Sequence, residues 1–99
     1  MSFIIGSPAT VARPMRTTHI LIVDDIPQNL TAMEALLAQD GVTLLTASSG
    51  AQALELLLQY DVALALLDVQ MPEMDGFTLA ALMRGSSRTR HVPIMVLHA

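Results

Sequence analysis

Short runs of consecutive apolar residues alternate with longer stretches whose apolar positions recur at helical spacing, from about residue 19 to the last residues. The first run, His19-Ile20-Leu21-Ile22-Val23, closes on the pair Asp24-Asp25. Unbroken apolarity, rather than alternation, marks a strand buried on both faces of a parallel sheet. Pro27 then stands where a helix can begin, since a first-turn proline forfeits no hydrogen bond. Leu30, Met33, Leu37 and Ala38 follow at helical spacing, and Gly41 is the expected C-cap. A second strand is expected over about 42–47, after which Ser48 or Ser49 supplies the N-cap of a second helix. That helix places Ala51, Leu54, Leu57 and Leu58 on its buried stripe and runs to about Tyr60. The third strand, 62–67, ends on Asp68. A loop from Val69 to Gly76 leads into a third helix carrying Phe77, Leu79, Ala80, Leu82 and Met83, closed by Gly85. A polar connection over 86–91 and then Pro93 precede a fourth strand, 94–97, with His98 and Ala99 after it.

The order β-α-β-α-β-α-β implies right-handed crossovers and an α/β fold with a parallel sheet. Residues 1–18 show no sustained period and carry Gly6, Pro8 and Pro14, so they read as a flexible leader to one domain, 19–99. In open α/β sheets the chemistry gathers beyond the carboxyl ends of the strands. Asp24, Asp25 and Asp68 are therefore expected at one edge of one sheet. Three like charges gather there at a cost unless a cation sits among them or one carboxylate takes up a proton. The expectation is a metal site.

Composition narrows the alternatives. Apolar residues make up 53% of the 99, somewhat above the roughly 45–50% of soluble domains. No stretch approaches the ~18 consecutive apolar residues of a membrane span, and Phe3-Ile4-Ile5 has no basic residue before it, which argues against a secretory signal. No membrane association is expected. With no cysteine, disulfides, thiolate catalysis and thiolate zinc sites are excluded. There is no lysine either, which excludes a P-loop. Five arginines against nine acids give a net charge of −4, a poor basis for neutralising nucleic-acid phosphates. Arg84, Arg88, Arg90 and His91 read as a solvated helix end and loop.

No glycine-rich dinucleotide motif follows the first strand, and no serine sits at a strand-to-helix elbow. His19, His91 and His98 lie in no recognised ligand spacing. The seven methionines read as gap-filling core. A haloacid-dehalogenase-like phosphatase wants a second aspartate two residues beyond its nucleophile, and Gln70 occupies that position.

Three segments taken together, His19-Ile20-Leu21-Ile22-Val23-Asp24-Asp25, Leu66-Leu67-Asp68-Val69-Gln70-Met71-Pro72-Glu73-Met74-Asp75-Gly76 and Val92-Pro93-Ile94-Met95-Val96-Leu97, resemble a two-component response-regulator receiver domain from about Thr18 to Ala99. The resemblance implies a flavodoxin-like, doubly wound parallel sheet of order 2-1-3-4-5. It implies that Asp68 is the phosphoacceptor, its carboxylate attacking a phosphohistidine or small phosphodonor to give an aspartyl phosphate. Asp24 and Asp25, with Asp68 and the backbone carbonyl of Gln70, would hold Mg²⁺, and Pro72 and Gly76 would shape the adjoining loop. A histidine kinase or phosphotransfer protein would be the partner. Beyond self-catalysed transfer to Asp68, no enzymatic activity is expected.

Two departures qualify the resemblance. Where the family ends its fourth strand on a serine or threonine that reports phosphorylation, this chain has His98, followed by Ala99. An imidazole can donate to a phosphoryl oxygen but cannot repeat the small inward rotation of a hydroxyl. The family also carries a lysine on a fifth strand; this chain has no lysine and ends after the fourth strand, so the fold is expected to be incomplete. An exposed fourth-strand edge then invites a homodimer, through that edge or a swapped element. The competing expectation is a receiver-derived interaction or dimerisation module that is not phosphorylated. For the 99 residues alone, weak or absent phosphorylation with retained Mg²⁺ affinity is expected.

Overall fold

The computed structural model describes residues 17–97. His98, Ala99 and all but the end of the expected leader lie outside the described residues. The elements run β1 (Thr18–Val23), α1 (Pro27–Leu37), β2 (Val42–Ala47), α2 (Gly50–Gln59), β3 (Val62–Asp68), α3 (Gly76–Arg84) and β4 (Ile94–Leu97). All strand pairings are parallel and the order across the sheet is β2-β1-β3-β4. Among the described residues this is the receiver-type α/β arrangement, with four of the five strands of a full domain.

Alternation along the strands sorts the core. Leu21, Val23, Ala65 and Leu67 point to one face, where Ala53 and Leu57 of α2 and Leu79 and Met83 of α3 close over them. Ile22 and Leu66 alternate to the opposite face and are also buried. There α1 leans on β1 and β2. None of its residues is fully buried, and Leu30, Met33 and Leu37 of its expected stripe are half-covered.

Several local expectations need correction. β1 begins one residue earlier than expected, because the Thr18 N–H donates to the Gly41 carbonyl at 2.9 Å and extends the ladder. Gly41 is not the C-cap of α1. The helix ends at Leu37 with the Ala38 N–H on the Glu34 carbonyl, and Gly41 adopts φ 82° in the turn entering β2. Ser49 caps α2 as expected, accepting from the Gln52 N–H at 3.1 Å. The buried stripe of α2, however, is Gly50, Ala53 and Leu57; Ala51 is exposed and Leu58 is 75% exposed. Its face is set by Gly50, which the Met74 side chain covers so closely that a Cβ there would collide with it. In α3, Leu79 and Met83 are buried while Phe77 and Leu82 face outward. Gly85 caps α3 as expected.

Candidate functional site

Register brings the carboxylates together. Val23 pairs with Leu67 across β1 and β3, so the next residues, Asp24 and Asp68, leave the sheet side by side at its carboxyl edge. The Asp24 N–H still donates to the Ala47 carbonyl at 3.0 Å, which keeps the end of β1 in the ladder. One carboxylate oxygen from each of Asp24, Asp25 and Asp68 lies within 4.8 Å of the other two. All three residues are half-buried.

The carboxylates differ in their hydrogen bonds. Asp24 accepts on both oxygens: Oδ1 from the Ile26 N–H at 2.9 Å, Oδ2 from the Asn29 side-chain amide at 3.1 Å. Among the described residues, Asp68 Oδ1 accepts only a long bond, 3.4 Å, from the Gln70 N–H. An open cavity of about 420 Å³ adjoins them, with Asp24, Asp68, Gln70 and Asn29 on its polar side and Met33 and Leu97 on its apolar side.

The loop after Asp68 is tightly held. The Val69 N–H donates to Leu97 at 2.9 Å and the Met74 N–H to Pro72 at 2.7 Å. Met71 anchors the loop in the core. Glu73 takes φ 70°, a left-handed conformation costly for any residue but glycine. Asp75 caps α3 by accepting from the Thr78 N–H at 2.8 Å, and that backbone bond holds its carboxyl below the usual aspartate range. Gly76 sits directly against the end of β3. A Cβ there would lie 2.9 Å from the Asp68 carbonyl carbon, 3.2 Å from Val69 Cα, and closer still to the Asp68 carbonyl oxygen. Only glycine lets α3 start this close to Asp68.

The remaining polar residues lie elsewhere. The His19 ring tilts against Tyr60, with centroids 5.1 Å apart, at the opposite end of the sheet from Asp68. Two arginines of the basic cluster do more than solvate a helix end. Arg84 donates to the carbonyls of Arg90 and Val92, both at 2.8 Å, and Arg88 Nε donates to the Leu57 carbonyl at 2.9 Å while facing Asp61 at 3.5 Å. They fasten the α3–β4 connection. Asn29 was not among the expected site residues, because an exposed polar side chain in the first turn of a helix carries no signal until Asp24 is placed beside it.

An all-oxygen donor set of three carboxylates suits a hard divalent cation and offers nothing to a soft one. The comparisons with known proteins identify the family. A family profile, the response regulator receiver domain, matches residues 20–99. The chain belongs to the response regulator receiver family. Among its relatives, a probable cyclic di-GMP phosphodiesterase of Vibrio cholerae is 44% identical over 78 residues, covering 79% of this chain and 18% of that protein. Of solved structures, the N-terminal domain of a response regulator receiver protein from Methanoculleus marisnigri superposes with a TM-score of 0.74 at 33% identity, over 79% of this chain and 63% of that one. The receiver domain of an HD domain-containing protein from Pseudomonas fluorescens gives 0.77 at 31%, over 84% and 65%. The chain thus spans about a fifth of the length of the first curated relative. Receiver domains are generally non-enzymatic signalling modules that bind Mg²⁺ at such an acidic cluster and interact with histidine kinases or phosphotransfer proteins.

Proposed function

We propose that this receiver domain accepts a phosphoryl group on Asp68 from a histidine kinase or phosphotransfer protein. The observation that carries the reading is the convergence of Asp24, Asp25 and Asp68 within 4.8 Å at the carboxyl edge of β1 and β3. Asp24, Asp25, Asp68 and the Gln70 carbonyl would hold Mg²⁺, which when bound neutralises phosphoryl oxygens and offsets the mutual repulsion of the three acids. An Asp68 carboxylate oxygen forms the new bond to phosphorus as the bond to the donor nitrogen or oxygen breaks, and the donor leaves with that electron pair. Among the described residues the Asp68 carboxylate accepts only a long hydrogen bond, on Oδ1, which leaves it free to attack, whereas Asp24 is fixed on both sides. Pro72 and Gly76 keep the loop compact beside it, with Gly76 setting the approach of α3. Such phosphorelay modules work where their kinases present phosphohistidine, in the cytoplasm. Among the described residues no helix is long and apolar enough to cross a membrane.

The test is the intact mass of the chain after incubation with a small phosphodonor and Mg²⁺, beside Asp68→Ala. A gain of one phosphoryl group on the parent alone supports the reading. Weak phosphorylation is expected of the 99 residues alone, so gain on a small fraction of the parent suffices; no detectable gain on the folded parent contradicts the reading.

A second reading, an unphosphorylated interaction or dimerisation module, draws on β4. Among the described residues β4 is an edge strand, with Met95 54% and Leu97 36% exposed. An open edge with apolar side chains favours strand pairing with a second copy. Sedimentation equilibrium separates the readings: a dimer that Met95→Lys dissolves, with no phosphorylation of the parent, supports the module.

A further inference from the structure

Among the described residues, Asn29 is the one neutral side chain that reaches the acidic cluster by a hydrogen bond. It stands in the first turn of α1, three residues from the N-cap Ile26, whose own side chain caps nothing. Its Nδ2 donates to Asp24 Oδ2 at 3.1 Å while the Ile26 N–H occupies Oδ1 at 2.9 Å, and its own N–H bonds the Ile26 carbonyl at 3.0 Å. Asp24 is therefore clamped between one backbone and one side-chain donor, both from the β1–α1 junction. Asp25, its immediate neighbour, carries no such bond among the described residues. Asn29 also lines the cavity that Asp24 and Asp68 share.

We propose that Asn29 is a positioning residue that sets the rotamer of Asp24 and so tunes the affinity of the carboxylate cluster for Mg²⁺. The inference rests on the reading of Asp24, Asp25 and Asp68 as a Mg²⁺ site. A carboxylate held by two donors keeps one direction of each oxygen for the cation and cannot swing away from Asp25 and Asp68 when the cation is absent. Its three-way repulsion is then borne in one geometry, ready for the ion, and binding costs less reorganisation. The neutral amide is suited to this. A cationic side chain would compete with Mg²⁺ for the carboxylate, and a fourth acid would add repulsion.

The test compares Mg²⁺ dissociation constants of the full chain and of Asn29→Ala, Asn29→Gln, Asp24→Asn and the double variant Asp24→Asn with Asn29→Ala. Binding is followed by the amide shifts of Asp68 and Gln70, which need no phosphoryl transfer. Outer-layer partners of metal ligands typically account for 10–100-fold in affinity, and this bond is solvent-exposed, so Asn29→Ala is expected to weaken Mg²⁺ binding by roughly 3–10-fold. Asn29→Gln, which keeps the donor, recovers part of that loss. On the Asp24→Asn background the alanine change has no further effect, a coupling that a merely structural role of Asn29 in the helix would not produce. Melting in EDTA reports whether α1 itself is disturbed. Equal affinities for parent and Asn29→Ala, or the same loss with and without the Asp24 carboxylate, overturn the proposal while leaving the Mg²⁺ site intact. A folded parent with no saturable Mg²⁺ response overturns both.

Discussion

Replacing Gly76 by alanine puts a methyl carbon against the backbone that carries Asp68. An ideal Cβ at residue 76 lies 2.9 Å from the Asp68 carbonyl carbon and nearer still to its oxygen, inside the 3.0 Å that real Cβ atoms essentially never cross. Those atoms belong to the end of an interior strand, not to a side chain that can rotate away. Either α3 retreats or the end of β3 bends, by several tenths of an ångström. Overpacking of this kind costs about 1–3 kcal/mol. Alanine returns up to about 1 kcal/mol of helix propensity, and less at a first helical position. The net expectation is a loss of about 1–2 kcal/mol. For a domain of this size each kcal/mol moves the melting midpoint by roughly 4–8 °C. Because the displaced atoms hold Asp68, the Mg²⁺-induced rise in midpoint should shrink as well. Gly85→Ala is the control: its Cβ would meet carbonyl oxygens of Ala81 and Leu82 at an ordinary 3.6 Å. It is expected to be neutral or stabilising by about 0.4–1 kcal/mol. Thermal melting of both variants with and without Mg²⁺ reads the difference. If Gly76→Ala melts with Gly85→Ala and keeps the full Mg²⁺ response, the close approach of α3 to Asp68 is not what the glycine serves.

Backbone conformation alone makes a pair of predictions. Gly41 has φ 82° with nothing within 4 Å of a Cβ, so Gly41→Ala should cost about 1 kcal/mol in urea unfolding, whereas Glu73→Gly, relieving φ 70°, should add about 0.5 kcal/mol. Asp68→Asn removes one of three mutually repelling charges; it should stabilise the protein without Mg²⁺ by about 1 kcal/mol and abolish most of the Mg²⁺-induced stabilisation. A lower midpoint for Asp68→Asn in EDTA would count against that electrostatic account. Asp75 has its carboxyl held low chiefly by the Thr78 N–H, so the folded state favours the ionised form. The stability it contributes is fully present above the unfolded value of about pH 4 and is lost as pH falls through the lower folded value. Asp75→Ala should therefore lower the midpoint at neutral pH and flatten the acid limb of its pH profile. A profile parallel to that of the parent would show that the cap contributes nothing through its charge.

The strands were readable because unbroken apolar runs admit few alternatives, and the strand-end aspartates because parallel register carries Asp24 and Asp68 to one edge. Helix faces were less so. Leu56, Leu57 and Leu58 are consecutive, so periodicity alone cannot choose between a stripe through Leu58 and one through Ala53 and Leu57. The choice is made by Met74, which lies 24 residues beyond Gly50 in the chain and packs on it, a contact that no local pattern announces. The apolar positions of α1 signalled a helix correctly but overstated its burial, since Leu30, Met33 and Leu37 are only half-covered. Gly41 looked like a C-cap because glycine serves both that role and a left-handed turn, and it performs the second. In the site, the three acids were legible and the clamp on Asp24 was not. Hydrogen bonds between a strand end and the following helix turn depend on the path of the chain between them.

The measurement that bears most directly on the account is site mapping of the phosphoryl group. The chain is treated with a small phosphodonor and Mg²⁺, reduced with borohydride, digested and sequenced by mass spectrometry; reduction converts an aspartyl phosphate to homoserine. The account predicts homoserine at residue 68 alone, absent in EDTA and absent from Asp68→Ala. Modification at another residue, or Mg²⁺-independent modification at residue 68, would contradict it.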